Sequence, residues 1–407
     1  MITIPSTASS ATPPALWLIG NFPGDRQESM QRFGQLLATG MARRGWQVEH
    51  LQPQPFLTRL CRDYRYQGLG KYLGYYDKFV RFPSHLRARR RRAGDALPVV
   101  HVLDQGNAAY ATLFDELPTI LTCHDLLQIR AAVGEFPQHR LKWPARRQQA
   151  WIVASLRRAP FVACVSRRTE EDLIRFAGTP ATRRALVPNA LNYPYRRIDR
   201  PTALARLEPL FASGRLDPAW LDPLASPEGW LFNLGGGQWY KNRPGVFHIH
   251  GELRKQLTPS PRLVLAGKPL SPEHRTLAEA HCGSGRWTHV GRVDEDQLEA
   301  LYSLTDGLFF PSWEEGFGWP IAEAQSCGCC VFTSDRAPMT EVGGTHAVYL
   351  DPRDPADAAQ RIAEAWPRRA EIGRAAATQA DRWHPDAMLA RYEALYLAPR
   401  HGAACAA

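Results

Sequence analysis

Short apolar runs alternate with stretches of helical periodicity along most of this chain. That alternation argues for parallel sheets covered by helices. Ala15-Leu16-Trp17-Leu18-Ile19-Gly20 reads as a first strand. A helix follows, with Met30, Phe33, Leu37 and Met41 on one face and Gly45 closing it. Further strands are expected at 98–103, 119–123, 161–165 and 185–187. A second series starts at 230–234 and continues at 262–266, 287–290, 308–311 and 330–333. Asp294 and Gln297 have the spacing of a capping box, opening a helix with Leu298, Leu301 and Tyr302 on its buried face.

At 407 residues, two cores are the natural division. Residues 1–14 read as a disordered tail and 15–198 as a first Rossmann-like domain. Residues 199–228, rich in Pro and Arg, read as the connection. Residues 229–384 form a second Rossmann-like domain, and 385–398 a last helix carrying Met388, Leu389, Tyr392, Leu395 and Tyr396. Two such halves facing each other place a ligand between them, at the carboxyl ends of the strands.

The densest chemistry lies in Glu314-Glu315-Gly316-Phe317-Gly318-Trp319-Pro320-Ile321-Ala322-Glu323. A strand enters a glycine turn and then a helix start at which Pro320 needs no N–H. Backbone N–H groups there can meet an anion, and Glu315 and Glu323 can accept hydrogen bonds from sugar hydroxyls. A helix start with acidic residues on its dipole would not need the insert Gly316-Phe317-Gly318. The combination suits a nucleotide sugar.

Three weaker constellations accompany it. In Leu234-Gly235-Gly236-Gly237-Gln238-Trp239-Tyr240-Lys241-Asn242-Arg243, a strand runs into glycines that let a ligand approach, and Lys241 and Arg243 offer charge to a diphosphate. The Gly-Lys-Ser/Thr order of a P-loop is absent. Thr122-Cys123-His124-Asp125 ends a strand on the expected cleft rim, where Asp125 faces the ligand or caps the next helix. In Thr288-His289-Val290-Gly291-Arg292-Val293, main-chain groups can read a base and Arg292 can meet phosphate.

Cys327, Cys329 and Cys330 stand together, but no second Cys/His pair with zinc spacing lies nearby, so they read as small buried residues. No apolar run approaches a membrane span, and residues 1–14 do not read as a signal peptide. A cytoplasmic location is therefore expected. The net charge of +10 is densest at Arg87 to Arg92, after an aromatic-basic segment that includes Tyr64, Tyr66, Lys71, Tyr72, Tyr75, Tyr76, Lys78 and Phe79. This is either a solvated loop or a contact for anionic phospholipid or a pyrophosphate-linked lipid acceptor. No nucleic-acid module is evident.

Together these pieces resemble the retaining glycosyltransferases of family 4. The resemblance rests most specifically on Glu315 and Glu323 in their Glu-x7-Glu spacing. Tyr240-Lys241-Asn242, Val290-Gly291-Arg292-Val293, His101-Val102-Leu103-Asp104 and Thr122-Cys123-His124-Asp125 support it. It implies an α/β GT-B fold: two Rossmann-like domains facing each other across a cleft, with the C-terminal helix crossing back to the first. It also implies metal-independent transfer of a hexose, of mannose or glucose type, from a nucleotide diphosphate sugar. The acceptor would be a glycan or a lipid-linked oligosaccharide in surface polysaccharide synthesis, and no cofactor is expected.

In the roles so implied, Glu315 faces the donor sugar and Gly316, Phe317 and Gly318 contact sugar or phosphate. Glu323 binds the ribose, Lys241 neutralises the diphosphate beside Gly236 and Gly237, and His124 lies near the transferred sugar. Arg292 and Val293 hold the base, and Gly24 and Asp125 lie near the phosphates or acceptor. Many relatives carry an arginine before the lysine, where this chain has Gly235-Gly236-Gly237. Arg243, Arg292 or backbone N–H groups would take its place. The resemblance leaves two other readings: an epimerase or phosphorylase of similar shape, or a non-catalytic basic protein at a membrane surface or on a partner.

Overall fold

The computed structural model describes residues 15–61, 68–94 and 97–398. The expected tail 1–14, together with Tyr64 and Tyr66, lies outside them. Six parallel strands form a first sheet: β1 (Ala15–Ile19), β2 (Gln47–Leu51), β3 (Val99–Val102), β4 (Thr119–Cys123), β5 (Val162–Cys164) and β6 (Arg184–Leu186), in the order β2-β1-β3-β4-β5-β6. Six more form the second: β7 (Trp230–Gly235), β8 (Arg262–Gly267), β9 (Trp287–Gly291), β10 (Gly307–Phe310), β11 (Val331–Ser334) and β12 (Val348–Leu350). Their order is β12-β11-β10-β7-β8-β9. Each sheet reverses its winding once, between β1 and β3 and between β7 and β10. In doubly wound sheets, ligands bind at such switch points, beyond the strands' carboxyl ends.

Both faces of each sheet are apolar and covered, which is why most strands read as continuous hydrophobic runs. β2 and β12 were not expected from the sequence. Each is an edge strand and only partly buried: β2 mixes Gln47, Glu49 and His50 with Val48 and Leu51, and β12 is only three residues long. The helix Glu28–Arg43 buries Phe33, Leu37 and Met41 as its periodicity requires. Asp294 and Gln297 do form the capping box of helix Glu295–Leu304.

The stretch 199–228 is more ordered than a connection. Asp199 caps the helix Arg200–Ala212 by accepting the Thr202 N–H. Ala203, Leu207 and Leu210 bury into the core of the second sheet, and Arg206 pairs with Glu299. The aromatic-basic segment is likewise helical, as Gly68–Tyr76, a π-turn Asp77–Arg81, and Phe82–Arg92.

The last helix, Pro385–Leu397, returns to the first domain. Met388, Leu389, Tyr392 and Tyr396 pack with Leu16, Leu18, Phe33 and Leu37. Tyr392 meets Thr122 Oγ1 at 2.8 Å, Tyr396 meets His101 Nδ1 at 2.7 Å, and Trp46 Nε1 donates to Glu393 at 3.0 Å.

Candidate active site

A cleft of about 1280 Å³ lies between the sheets and takes its lining from the carboxyl ends of both. On the second-domain wall, the chain leaves β10 through Glu314 and Glu315 and turns at Gly318, whose φ of 103° requires glycine. The helix Trp319–Ser326 starts there with Pro320 in its first turn. Glu315 is buried and paired with Lys241, whose Nζ stands 2.9 Å from Oε2 and 2.8 Å from Oε1. The Phe310 ring lies 4.8 Å beneath that ammonium. Asn242 (φ 52°) makes the turn that sends Lys241 forward, and its side chain accepts the Gly245 N–H and donates to the Pro311 carbonyl.

Glu323, one turn into the helix, is buried and accepts the Tyr302 hydroxyl at 2.9 Å. Burial pushes its carboxyl up to about 7, against the opposing pull of the Tyr302 hydrogen bond.

On the first-domain wall, His124 is buried with its ring 6.2 Å from Trp319. Its Nε2 faces the Leu103 carbonyl at 2.9 Å and must therefore carry the proton. Nδ1 is left as a buried acceptor with no partner among the described residues. Burial holds the imidazole below its ordinary pKa, so the ring is neutral at pH 7. Asp125 accepts the Leu127 N–H at 3.0 Å, and burial pushes its carboxyl up to about 6. It both caps the following turn and lines the cleft. Asp104 accepts from Asn21 at 2.7 Å, and Lys78, on the π-turn, donates to Asp25 at 2.8 Å.

The Glycosyltransferase Family 4 profile matches residues 30–193, and the profile of Glycosyl transferases group 1 matches residues 225–379. This chain is a family 4-like GT-B protein. O-antigen chain mannosyltransferase B of Escherichia coli is 26% identical over 237 residues, covering 58% of each chain. The serotype-specific mannosyltransferase WbdA of Escherichia coli is 25% identical over 253 residues, 60% of this chain and 29% of that one. The chain thus spans little more than half of the first relative and under a third of the second. Among solved structures, Anabaena HepE in complex with UDP and glucose superposes with a TM-score of 0.68 at 14% identity, covering 93% of this chain and 98% of that one.

The GT-B fold gathers most of the expected residues. His124, Asp125, Gly236, Lys241, Arg292, Val293, Glu315, Gly316, Phe317, Gly318 and Glu323 all line the cleft. Several sit there in other roles. Gly316 seals the domain seam: a Cβ on it would lie 2.4 Å from the His124 carbonyl oxygen, and its own carbonyl accepts the Ser166 hydroxyl at 2.9 Å. Glu314 makes a bidentate pair with Arg130 of the first domain, at 2.7 and 3.0 Å. Arg292 reaches across to Glu28 at 2.8 Å.

Gly24 is one step from the lining, in the turn Pro23–Asp25. Gly237 is exposed and outside the cleft. Arg243 points away from the cleft, because the Asn242 turn that sends Lys241 forward sends Arg243 behind the Gly235 loop. Of the arginine block, Arg89 and Arg90 are engaged by Glu49 and Glu116, while Arg87, Arg91 and Arg92 are exposed.

Lys268 and Asn189 are among the cleft residues that the sequence did not point to. Lys268 follows Gly267 at the end of β8, and a strand ending in Gly-Lys was the available signal. Asn189 lines the cleft while buried, and both its amide atoms lack partners among the described residues. Such a group is costly unless a ligand or water completes it. No pattern in the sequence marks it.

Proposed function

We propose that this protein transfers a hexose, of mannose or glucose type, from a nucleotide diphosphate sugar to a glycan or lipid-linked acceptor during surface polysaccharide synthesis. Anomeric retention and metal independence belong to the proposal. The observation that carries it is the buried Lys241–Glu315 pair beside Glu323 in a cleft at both switch points. The names of the relatives support the sugar class, and the UDP and glucose held by HepE support the donor class.

The chemistry follows from charge. Breaking the sugar C1–O bond leaves negative charge on the nucleoside diphosphate and an oxocarbenium-like sugar. Lys241 leaves Glu315 for the departing phosphate, and a preorganised cation there lowers the barrier. Glu315, so released, accepts hydrogen bonds from sugar hydroxyls. Glu323 accepts from the ribose. His124 Nδ1 and the Asn189 amide offer further hydroxyl partners on the opposite wall. The acceptor oxygen bonds to C1 on the face the phosphate leaves, and its proton passes to that phosphate. Closure of the two domains around the donor would exclude water.

Among the described residues, no helix is long and apolar enough to cross a membrane. We place the protein in the cytoplasm, peripheral on the inner face of the membrane. Exposed Arg87, Arg91 and Arg92 would meet anionic lipid there, near exposed Tyr72, Tyr76 and Val80.

The test is transfer from nucleotide sugars to lipid-linked glycan acceptors in EDTA, with the product's anomeric configuration read by NMR. A retained configuration in EDTA is expected. Inversion, or activity only with added metal, would overturn those parts. Binding to anionic vesicles should weaken when Arg87, Arg91 and Arg92 become alanine, and unchanged binding would remove the membrane contact.

A further inference from the structure

Among the described residues, one buried arginine has no counter-ion. Arg243 opens the helix Arg243–Gln256 and is 4% exposed. Its Nη2 donates to the Gly235 carbonyl at 2.6 Å, while Nη1 is buried without a hydrogen-bond partner among the described residues. Among those residues no carboxylate pairs with it, and the titratable groups near it are His274 and His289, which its charge disfavours from protonating. Burial pushes its pKa down to about 10, so it remains a cation at neutral pH. A buried charge is costly unless something pairs with it.

The geometry shows where an anion would arrive. Gly235 and Gly236 line the cleft, and a Cβ placed on Gly235 would lie 3.7 Å from Arg243 Nη2. The guanidinium therefore lies against the Gly235 peptide of the cleft wall, beside the stem of Lys241. In a trans peptide the C=O and the next N–H point in opposite directions. With the Gly235 carbonyl drawn onto Arg243, the Gly236 N–H points to the side opposite the guanidinium. Lys241 and Lys268 flank this stretch on the open side. Gly267, at φ 115°, packs so closely that a Cβ on it would lie 2.1 Å from the Gly235 oxygen, which holds the loop from the other side.

We infer that Arg243 is a positioning residue for a diphosphate. It clamps the Gly235–Gly236 peptide so that its N–H meets the phosphate, and its buried charge is balanced only when that dianion binds. The inference rests on the donor-site reading above and names the residue behind its phosphate subsite.

The test uses calorimetry on the full chain with UDP and GDP, against uridine and guanosine as uncharged probes, and the melting temperature of the ligand-free protein. Arg243→Met should weaken diphosphate binding by about tenfold or more while nucleoside binding holds. Its ligand-free form should melt no lower than the wild type, because an unpaired buried charge has been removed. Arg243→Lys, which keeps the charge and loses the fork, should fall between, and it carries the same comparison should the methionine variant not fold.

Unchanged diphosphate affinity in a folded variant overturns the inference. So does an equal loss for nucleoside and diphosphate with a lowered melting temperature, which is the mark of a merely structural brace. Wild-type protein that binds no nucleotide at all would instead overturn the donor-site reading, and this inference with it.

Discussion

Glu323 and the Lys241–Glu315 pair make the sharpest residue-level predictions. With its folded pKa near 7 and an ordinary unfolded value of 4.5, Glu323 binds more protons in the folded state between those pH values. Its contribution to stability is therefore greatest at low pH and is lost as pH rises through about 7. The ionised carboxylate is the stronger acceptor for ribose hydroxyls, so nucleotide affinity should rise over the same interval. Glu323→Gln should flatten both profiles, read by denaturation midpoints and calorimetry from pH 5 to 8. Lys241→Met strands the buried Glu315 carboxylate at a cost of about 3–5 kcal/mol. Adding Glu315→Gln should restore most of that stability and none of the turnover, which separates structure from catalysis in one pair of variants. His124 and Asn189 differ in kind, since each holds unpaired buried atoms toward the cleft and should matter more with ligand than without.

At the scale of elements, the seam is set by the glycine turn before helix Trp319–Ser326. A Gly316→Ala side chain meets the His124 carbonyl at 2.4 Å, so the domains must shift or the turn must strain. A loss of about 1–3 kcal/mol is expected, measured by chemical denaturation, together with reduced turnover at saturating donor. The central strands were legible because both faces of each sheet are covered. β2 was not, because Gln47, Glu49 and His50 interrupt it, and β12 was not, because it is only three residues long. The place of Glu315, Glu323 and Lys241 on the cleft was legible because each follows the carboxyl end of an apolar strand. The role of Gly316 was not, since its neighbour comes from the other domain. The direction of Arg243 was not, since it hangs on the left-handed backbone of Asn242.

At the scale of the molecule, the two sheets are held by contacts of unequal worth. The Arg130–Glu314 pair is buried, whereas Arg292–Glu28 is exposed and should contribute little. The helix Pro385–Leu397 covers one face of the first sheet with Met388, Leu389, Tyr392 and Tyr396, each contributing roughly 1.5–3 kcal/mol when fully buried. A chain stopped after His384 should lose cooperative unfolding of the first domain, seen as a broadened calorimetric transition.

The central claim is that the cleft is a donor site for a nucleotide sugar. Its most direct test is a thermal-shift and calorimetry screen against UDP-, GDP-, ADP- and TDP-sugars in EDTA. The account predicts tight binding of one nucleotide class, lost in Glu323→Ala and Lys241→Ala. No binding to any of the four, or binding that both variants keep, would contradict it.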